Sequence, residues 1–204
     1  MNIKKTANLL LNFTIRRLAE IFGVLVSLTG GMLFLALITY SPNDPNFIFP
    51  ENTKIENLMG FQGSFISDLF FQSVGLMAYL IPFTLLITGV NILRTKDFFL
   101  IIENNFFMIL YLISGTLFFI QYYSDTYSLY INGSSGFVGQ YLSQTFLKSI
   151  ILTNEEIFFY ILILITIIFF LISINFNPKN FIEFIKKTFN FVNKKNTKNY
   201  TDKS

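Results

Sequence analysis

The stretch TYSPNDPNF, residues 39–47, is followed after a polar interval by NLMGFQGSFISDLFFQSVGLMAYLIP, residues 57–82. Together they join the end of one apolar run to the middle of the next. Pro42 and Pro45 lack an amide donor and push the residues before them out of the helical region, so Tyr40-Ser41-Pro42-Asn43-Asp44-Pro45 stops a helix. Gly60 and Gly63 then precede a long uncharged run that begins at Leu69. The pattern predicts an ordered loop outside a membrane, leading into a second span.

Composition makes the bilayer the natural solvent. Of 204 residues, 52% are hydrophobic and 13% charged, and 27 are phenylalanine; soluble domains carry about 25% charged residues. There is no Cys, which excludes disulfides and thiolate metal sites, and no His, which removes the usual general base and the commonest metal ligand. Nucleophilic triads built on His are therefore impossible within these residues. Trp is also absent, leaving Tyr and Phe for the membrane interface.

Outward from the opening stretch, the chain divides into a basic N-terminus (1–20), a transmembrane domain (21–176) and a basic juxtamembrane tail or linker start (177–204). Residues 1–20 hold Lys4, Lys5, Arg16 and Arg17, with Leu9, Leu10, Phe13 and Leu18 as part of an apolar stripe. A short interfacial helix fits them. Spans are predicted at about 21–40, 69–93, 106–123 and 157–174, each uncharged and long enough for ~30 Å of hydrocarbon. A secretory signal is the alternative for the first, but its apolar run is too long and no A-x-A-like cleavage site follows.

Gly23, Ser27 and Gly31 lie four residues apart on one helical face, where small residues let helix backbones approach. The neighbour is either another span of the same chain or another subunit. Pro82 predicts a kink in the second span that leaves the Ala78 carbonyl without its usual donor. The segment 133–152 repeats the small-residue spacing at Ser135, Gly139 and Ser143, but Gln140, Gln144 and Lys148 make it too polar to cross. It reads as an interfacial helix, either lying on the outer surface or dipping into it. After Asn177-Pro178, lysines alternate with Phe and Ile as far as Val192, the pattern of an amphipathic helix on an anionic membrane face.

Charge decides the orientation. With four spans, thirteen Lys and Arg fall on the side of both termini, and only Lys54 and Lys148 on the other. The positive-inside rule places the thirteen in the cytoplasm. The fold class is an all-α membrane protein with four transmembrane helices, N-in and C-in, plus the interfacial helix in the second outer loop.

Little in the chain points to catalysis. None of the four spans contains an ionisable Asp, Glu, Lys or Arg, which argues against a proton-coupled transporter or an intramembrane hydrolase. Asp68 reads as a helix cap at the mouth of the second span, and Asp44 as a turn former bonding nearby backbone. No G-x-x-x-x-G-K-[ST] is present, so no Walker-type ATP site exists in these residues. No catalytic, cofactor or metal residue is assigned, and the lysines of the tail fit a membrane surface better than nucleic acid.

The ordered set Tyr40, Ser41, Pro42, Asp44, Pro45, Asn57, Gly60, Gly63, Ser64, Asp68, Gly75 and Pro82 resembles the N-terminal membrane domain of FtsK/SpoIIIE-type DNA translocases. The likeness extends over about residues 18–176, including Gly23, Gly30 and Gly31 and the Gly133/Gly136/Gly139 segment. It implies a membrane-anchoring septal scaffold of the bacterial inner membrane, acting in cell division and chromosome segregation. Implied partners are the lipid bilayer, division-site membrane proteins and further copies of itself, with no nucleic-acid site and no cofactor. The family's ATPase motor is absent from these residues, so the chain by itself is not expected to be an enzyme. Whether a motor follows in cis or is encoded separately stays open. The rival reading is a small polytopic transporter or channel subunit, with Pro82 and the glycines forming a pathway.

Overall fold

The computed structural model describes residues 3–45, 54–124 and 132–179, with residues 182 and 186. Most of these are helical, and no strand occurs among them. The elements are α1 (Ile3–Ile38), α2 (Gly60–Val74), a 3-10 segment (Gly75–Leu80), α3 (Ile81–Thr95), α4 (Leu100–Tyr122), α5 (Gly136–Ser143), α6 (Phe146–Leu152) and α7 (Glu155–Ser173). Four stretches are long and apolar enough to cross a membrane: Asn8–Ile38, Gly60–Thr95, Leu100–Tyr122 and Glu155–Ser173. The protein is a four-span, multi-pass membrane domain.

The first helix is continuous. Instead of an interfacial helix followed by a span, α1 runs through 36 residues, about 54 Å at ~1.5 Å per residue. No Gly or Pro occurs between Ile3 and Phe22 to interrupt it.

α1 and α3 pack antiparallel through small residues. A Cβ on Gly89 would collide with Ser27, one on Gly23 would lie 2.9 Å from the Gly89 carbonyl, and one on Gly30 would lie 2.8 Å from the Leu86 amide. Phe34 meets Phe83 edge-on at 5.5 Å. At the far end Glu20 pairs with Lys96 at 2.9 Å and with Arg17 at 2.6 Å. Gly31 faces mostly open space, with Leu86 at 3.9 Å. The close approach therefore runs through Gly23, Ser27 and Gly30.

The connection left between the spans predicted at 69–93 and 106–123 is shorter in the structure. Lys96 ends α3 in the left-handed region, and the Asp97 carboxylate accepts the Phe99 amide at 2.9 Å to start α4. α4 returns along α3 and pairs antiparallel with α7: Phe107 meets Phe169, Tyr111 meets Phe170 edge-on, and the Tyr122 hydroxyl donates to the Glu155 carbonyl.

The second crossing is not one kinked helix. Asn57 donates to the Ala36 and Thr39 carbonyls, while Asp68, eleven residues on, accepts from Tyr40. Eleven helical residues advance about 16 Å, but Ala36 to Tyr40 covers only ~6 Å. α2 therefore lies across the end of α1. The part running antiparallel to α1 is the 3-10 segment and α3, about 34 Å from Gly75 to Thr95, whereas apolar composition alone put the span at 69–93. Pro82 sits buried in the first turn of α3, where a missing amide costs nothing. The Ala78 carbonyl accepts from the Ile81 amide, so the predicted orphan is satisfied.

The segment 133–152 forms two short helices, α5 and α6. Gln144 ends α5, and the Thr145 hydroxyl accepts the Leu147 amide to begin α6. A buried cluster of Leu33, Leu37, Phe71, Val74, Met77, Ala78, Ile81 and Tyr111 lies where α2 meets the bundle. A smaller one, Leu117, Ile151 and Leu162, joins α4, α6 and α7.

The chain beyond Ile174 is a second unit, Asn175–Ser204. Within it the Asn177 side chain accepts the Lys179 amide at 3.0 Å, opening a helical turn at Pro178. Most of the amphipathic helix predicted over 179–192 lies outside the described residues.

Candidate functional site

The two longer loops lie on the same face of the bundle, opposite the tight α3–α4 turn, and a network of buried polar groups ties them together there. It starts at the turn that ends α1. The Asp44 amide donates to the Ser41 carbonyl at 3.2 Å, curling Pro42-Asn43 into a turn. The fully buried Asp44 carboxylate accepts the Glu56 amide at 2.8 Å and the Asn57 amide at 2.9 Å. Asp44 thus bonds backbone a dozen residues away, where the sequence predicted a local turn. Both ends of the first loop are fastened to each other.

Asn57 is the second fastening. Its side-chain amide donates to Ala36 at 2.8 Å and Thr39 at 3.2 Å, filling carbonyls left open at the end of α1. Its side-chain oxygen accepts the Met59 amide, and its carbonyl accepts the Gly60 amide at 2.9 Å. Gly60 turns the chain at φ +66° to start α2, and a Cβ on Gly63 would collide with the Asn57 side chain. Thr39 accepts the Leu58 amide, and the Ser64 hydroxyl donates to the Pro45 carbonyl at 3.1 Å.

Asp68 is not a helix cap. It lies in the second half of α2, because Asn57 pins the start of that helix nine residues earlier than expected. The Tyr40 hydroxyl donates to its carboxylate at 3.0 Å. Burial, and then the Asp68 carboxylate, push the Tyr40 phenol up from its ordinary value of 10.0. The Phe71 ring packs against Tyr40 with centroids 4.9 Å apart, tilted by 59°.

The second loop enters at Gln72 and Gly75. The Asn132 amide donates to the Gln72 side-chain oxygen, and the Asn132 side chain donates to the Gln72 carbonyl at 3.1 Å. An unbroken helix would send the Leu76 amide to that carbonyl; here it donates instead to Ser134 at 2.9 Å. The break in the second span is therefore an exchange of hydrogen bonds with the second loop. Gly75 at φ +58° and Gly136 at φ +63° lie backbone against backbone, and a Cβ on either would strike the other segment. Ser134 donates to the Tyr123 carbonyl at 2.8 Å, and Gln140 to the Asn132 carbonyl at 3.0 Å.

Of the second small-residue set, Gly139 lies against the Thr116 carbonyl of α4, Ser135 is buried beside Gly139, and Ser143 bonds within α5. The structure thus brings Tyr40, Ser41, Asp44, Pro45, Asn57, Gly60, Gly63, Asp68 and Gly75 into one assembly with Ser135 and Gly139. Pro82, Gly23, Ser27 and Gly31 stand apart in the bundle. Sequence reasoning missed Gln72, Asn132 and Ser134. Their pairing spans sixty residues in sequence, and single Asn, Gln and Ser residues in polar loops give no local sign of it.

Both buried carboxylates here are occupied by N–H and O–H donors, and no metal-binding group of three His, Cys, Asp or Glu occurs among the described residues. Deeper in the bundle, buried polar groups meet each other across helices. Thr84 bonds Tyr111 at 3.1 Å and Ser173 at 3.2 Å, Asn104 donates to Thr88 at 2.8 Å, and Thr166 donates to Ser114 at 2.8 Å. They fasten α3, α4 and α7 together and do not outline a passage.

A stretch of 79 residues, 39% of the chain, is 35% identical to the DNA translocase FtsK of Caulobacter vibrioides, and takes up 10% of that protein's length. For the DNA translocase FtsK of Vibrio vulnificus the identity is 37% over 83 residues, 40% of this chain and 8% of the relative. For that of Rickettsia bellii it is 30% over 78 residues, 38% and 10%. The matched stretches thus span about a tenth of these relatives or less. No solved structure matches the chain. The model of the 4TM region of DNA translocase FtsK/SpoIIIE matches residues 15–183, and the chain belongs to that family.

Proposed function

We propose that this domain is the membrane anchor and septal scaffold of a DNA translocase in the bacterial inner membrane, with both termini in the cytoplasm and the tied loop face outside. The observation that carries the reading is the cross-tie of the two loops through Tyr40, Asp68, Gln72 and Asn132. It joins the described parts of the two connections into one surface, suited to protein contacts and not to chemistry. Lysines of the C-terminal segment would hold it against anionic lipid, each worth about 1 kcal/mol near the surface. Translocation of DNA would belong to a motor joined to this domain or assembled with it.

A fluorescent fusion in dividing cells tests the reading. Enrichment at midcell is expected, and Asn132→Ala should reduce it while leaving the protein in the membrane. Even fluorescence around the cell, with no midcell band, would overturn the septal role.

A further inference from the structure

Because α2 lies across the end of α1, a groove of about 420 Å³ is left beneath it, closed at the back by Leu85 of α3. Small-molecule sites are typically ~300–1,000 Å³. Its walls are Met32 and Leu33 of α1 and Ile66, Leu69 and Phe70 of α2. Along α1 the groove reaches from Ala36 back to Thr29, about 10 Å of helix inside the first span. It therefore opens into the hydrocarbon of the leaflet on the loop face.

The lining selects the occupant. The Thr29 hydroxyl donates to the Leu25 carbonyl, so it asks nothing of a ligand. An irregular peptide segment would bring backbone groups into hydrocarbon with no partners for them. A second helix, ~10–12 Å across, is too thick to pass under α2. A hydrocarbon chain meets neither obstacle. Gln62 also lines the groove and is exposed, and its amide has no hydrogen-bond partner among the described residues. It is a donor suited to an ester carbonyl. We propose that the groove holds one acyl chain of a phospholipid, with the ester at Gln62, and that this lipid is retained while boundary lipid exchanges freely.

The chain contains no Trp, so a single introduced Trp reports on its own surroundings. Phe70→Trp places one in the groove, and Leu164→Trp places one on the 58% exposed lipid side of α7. Each full-length variant is reconstituted in vesicles of a phospholipid brominated in its acyl chains, then diluted into excess unbrominated lipid. Both should start quenched. Fluorescence at Leu164→Trp should recover at the rate of lipid mixing, and at Phe70→Trp about tenfold more slowly, the factor that ~1.4 kcal/mol of extra retention supplies. Ile66→Trp reports on the same groove should Phe70→Trp fail to fold. Adding Thr29→Phe, which fills the groove from α1, should bring recovery back to the rate seen at Leu164→Trp. Equal recovery at both positions would overturn the proposal by showing ordinary boundary lipid. No quenching in the groove would overturn it by showing that protein or detergent closes the space.

Discussion

Asp44 shows how much one side chain fixes. Each carboxylate oxygen accepts one amide from the far end of its loop, the Asn57 amide buried and the Glu56 amide partly so. Asp44→Asn keeps the shape but turns an acceptor into a donor facing a donor. An unsatisfied buried group costs ~1–3 kcal/mol. The variant should unfold at lower temperature in detergent micelles by a corresponding amount, and an unchanged transition would contradict the assignment. Tyr40 adds a pH dependence of definite sign. Its phenol is raised in the folded state, so the Tyr40–Asp68 tie is fully present below the ordinary tyrosine value of 10.0 and weakens only as pH climbs above it. Tyr40→Phe should remove that alkaline component from the pH profile of stability. The value of these residues was only half legible in sequence. Asp44 and Asp68 stood out as acids beside spans, but a local turn and a helix cap were the natural guesses. Their actual partners are set by tertiary folding, which periodicity does not report.

At the scale of elements, the break at Gly75 and the start at Pro82 are separate devices. Pro82 was legible as a disruption, but the rule that Pro suits a first helical turn decided the outcome, and the disruption fell seven residues earlier, at Gly75. Gly75→Ala should destabilise by ~1–3 kcal/mol from its backbone alone, since φ +58° with ψ −138° is a region left essentially to glycine, and more from collision with Ser134. Gly31→Ala, where space is open, should change stability by no more than ~0.5 kcal/mol, the usual limit for surface positions. Chemical denaturation of the pair in the same detergent checks both. Equal losses would mean that Gly75 holds no special contact. The three regularly spaced small residues marked one face of α1, but helical spacing could not say that Gly30, not Gly31, makes the third close approach. Between helices, Tyr111→Phe removes one bond to Thr84. The expected cost is ~0.6 kcal/mol and at most ~1.7, as for other intramembrane hydrogen bonds.

For the whole molecule, four apolar helices were readable from uncharged run lengths alone, because a bilayer imposes length and neutrality on every span. The lateral seat of α2 was not, since an amphipathic helix across the surface and the first half of a span have similar composition. The charge asymmetry makes a separate prediction. Reporter fusions at Ser204 should be active only in cytoplasmic form, and fusions after Lys54 or Lys148 only outside; the reverse would overturn the N-in, C-in arrangement.

The central claim is that the two loops form one tied surface, and the absence of native cysteines allows a clean test. Gln72→Cys and Asn132→Cys, combined in one chain in membranes, should close an intrachain disulfide or accept a short bis-maleimide bridge, visible as a faster-migrating monomer. Neither single variant should show that band. Bridging only between chains, or none at all, would mean that the loops do not meet, and the scaffold account would fall with them.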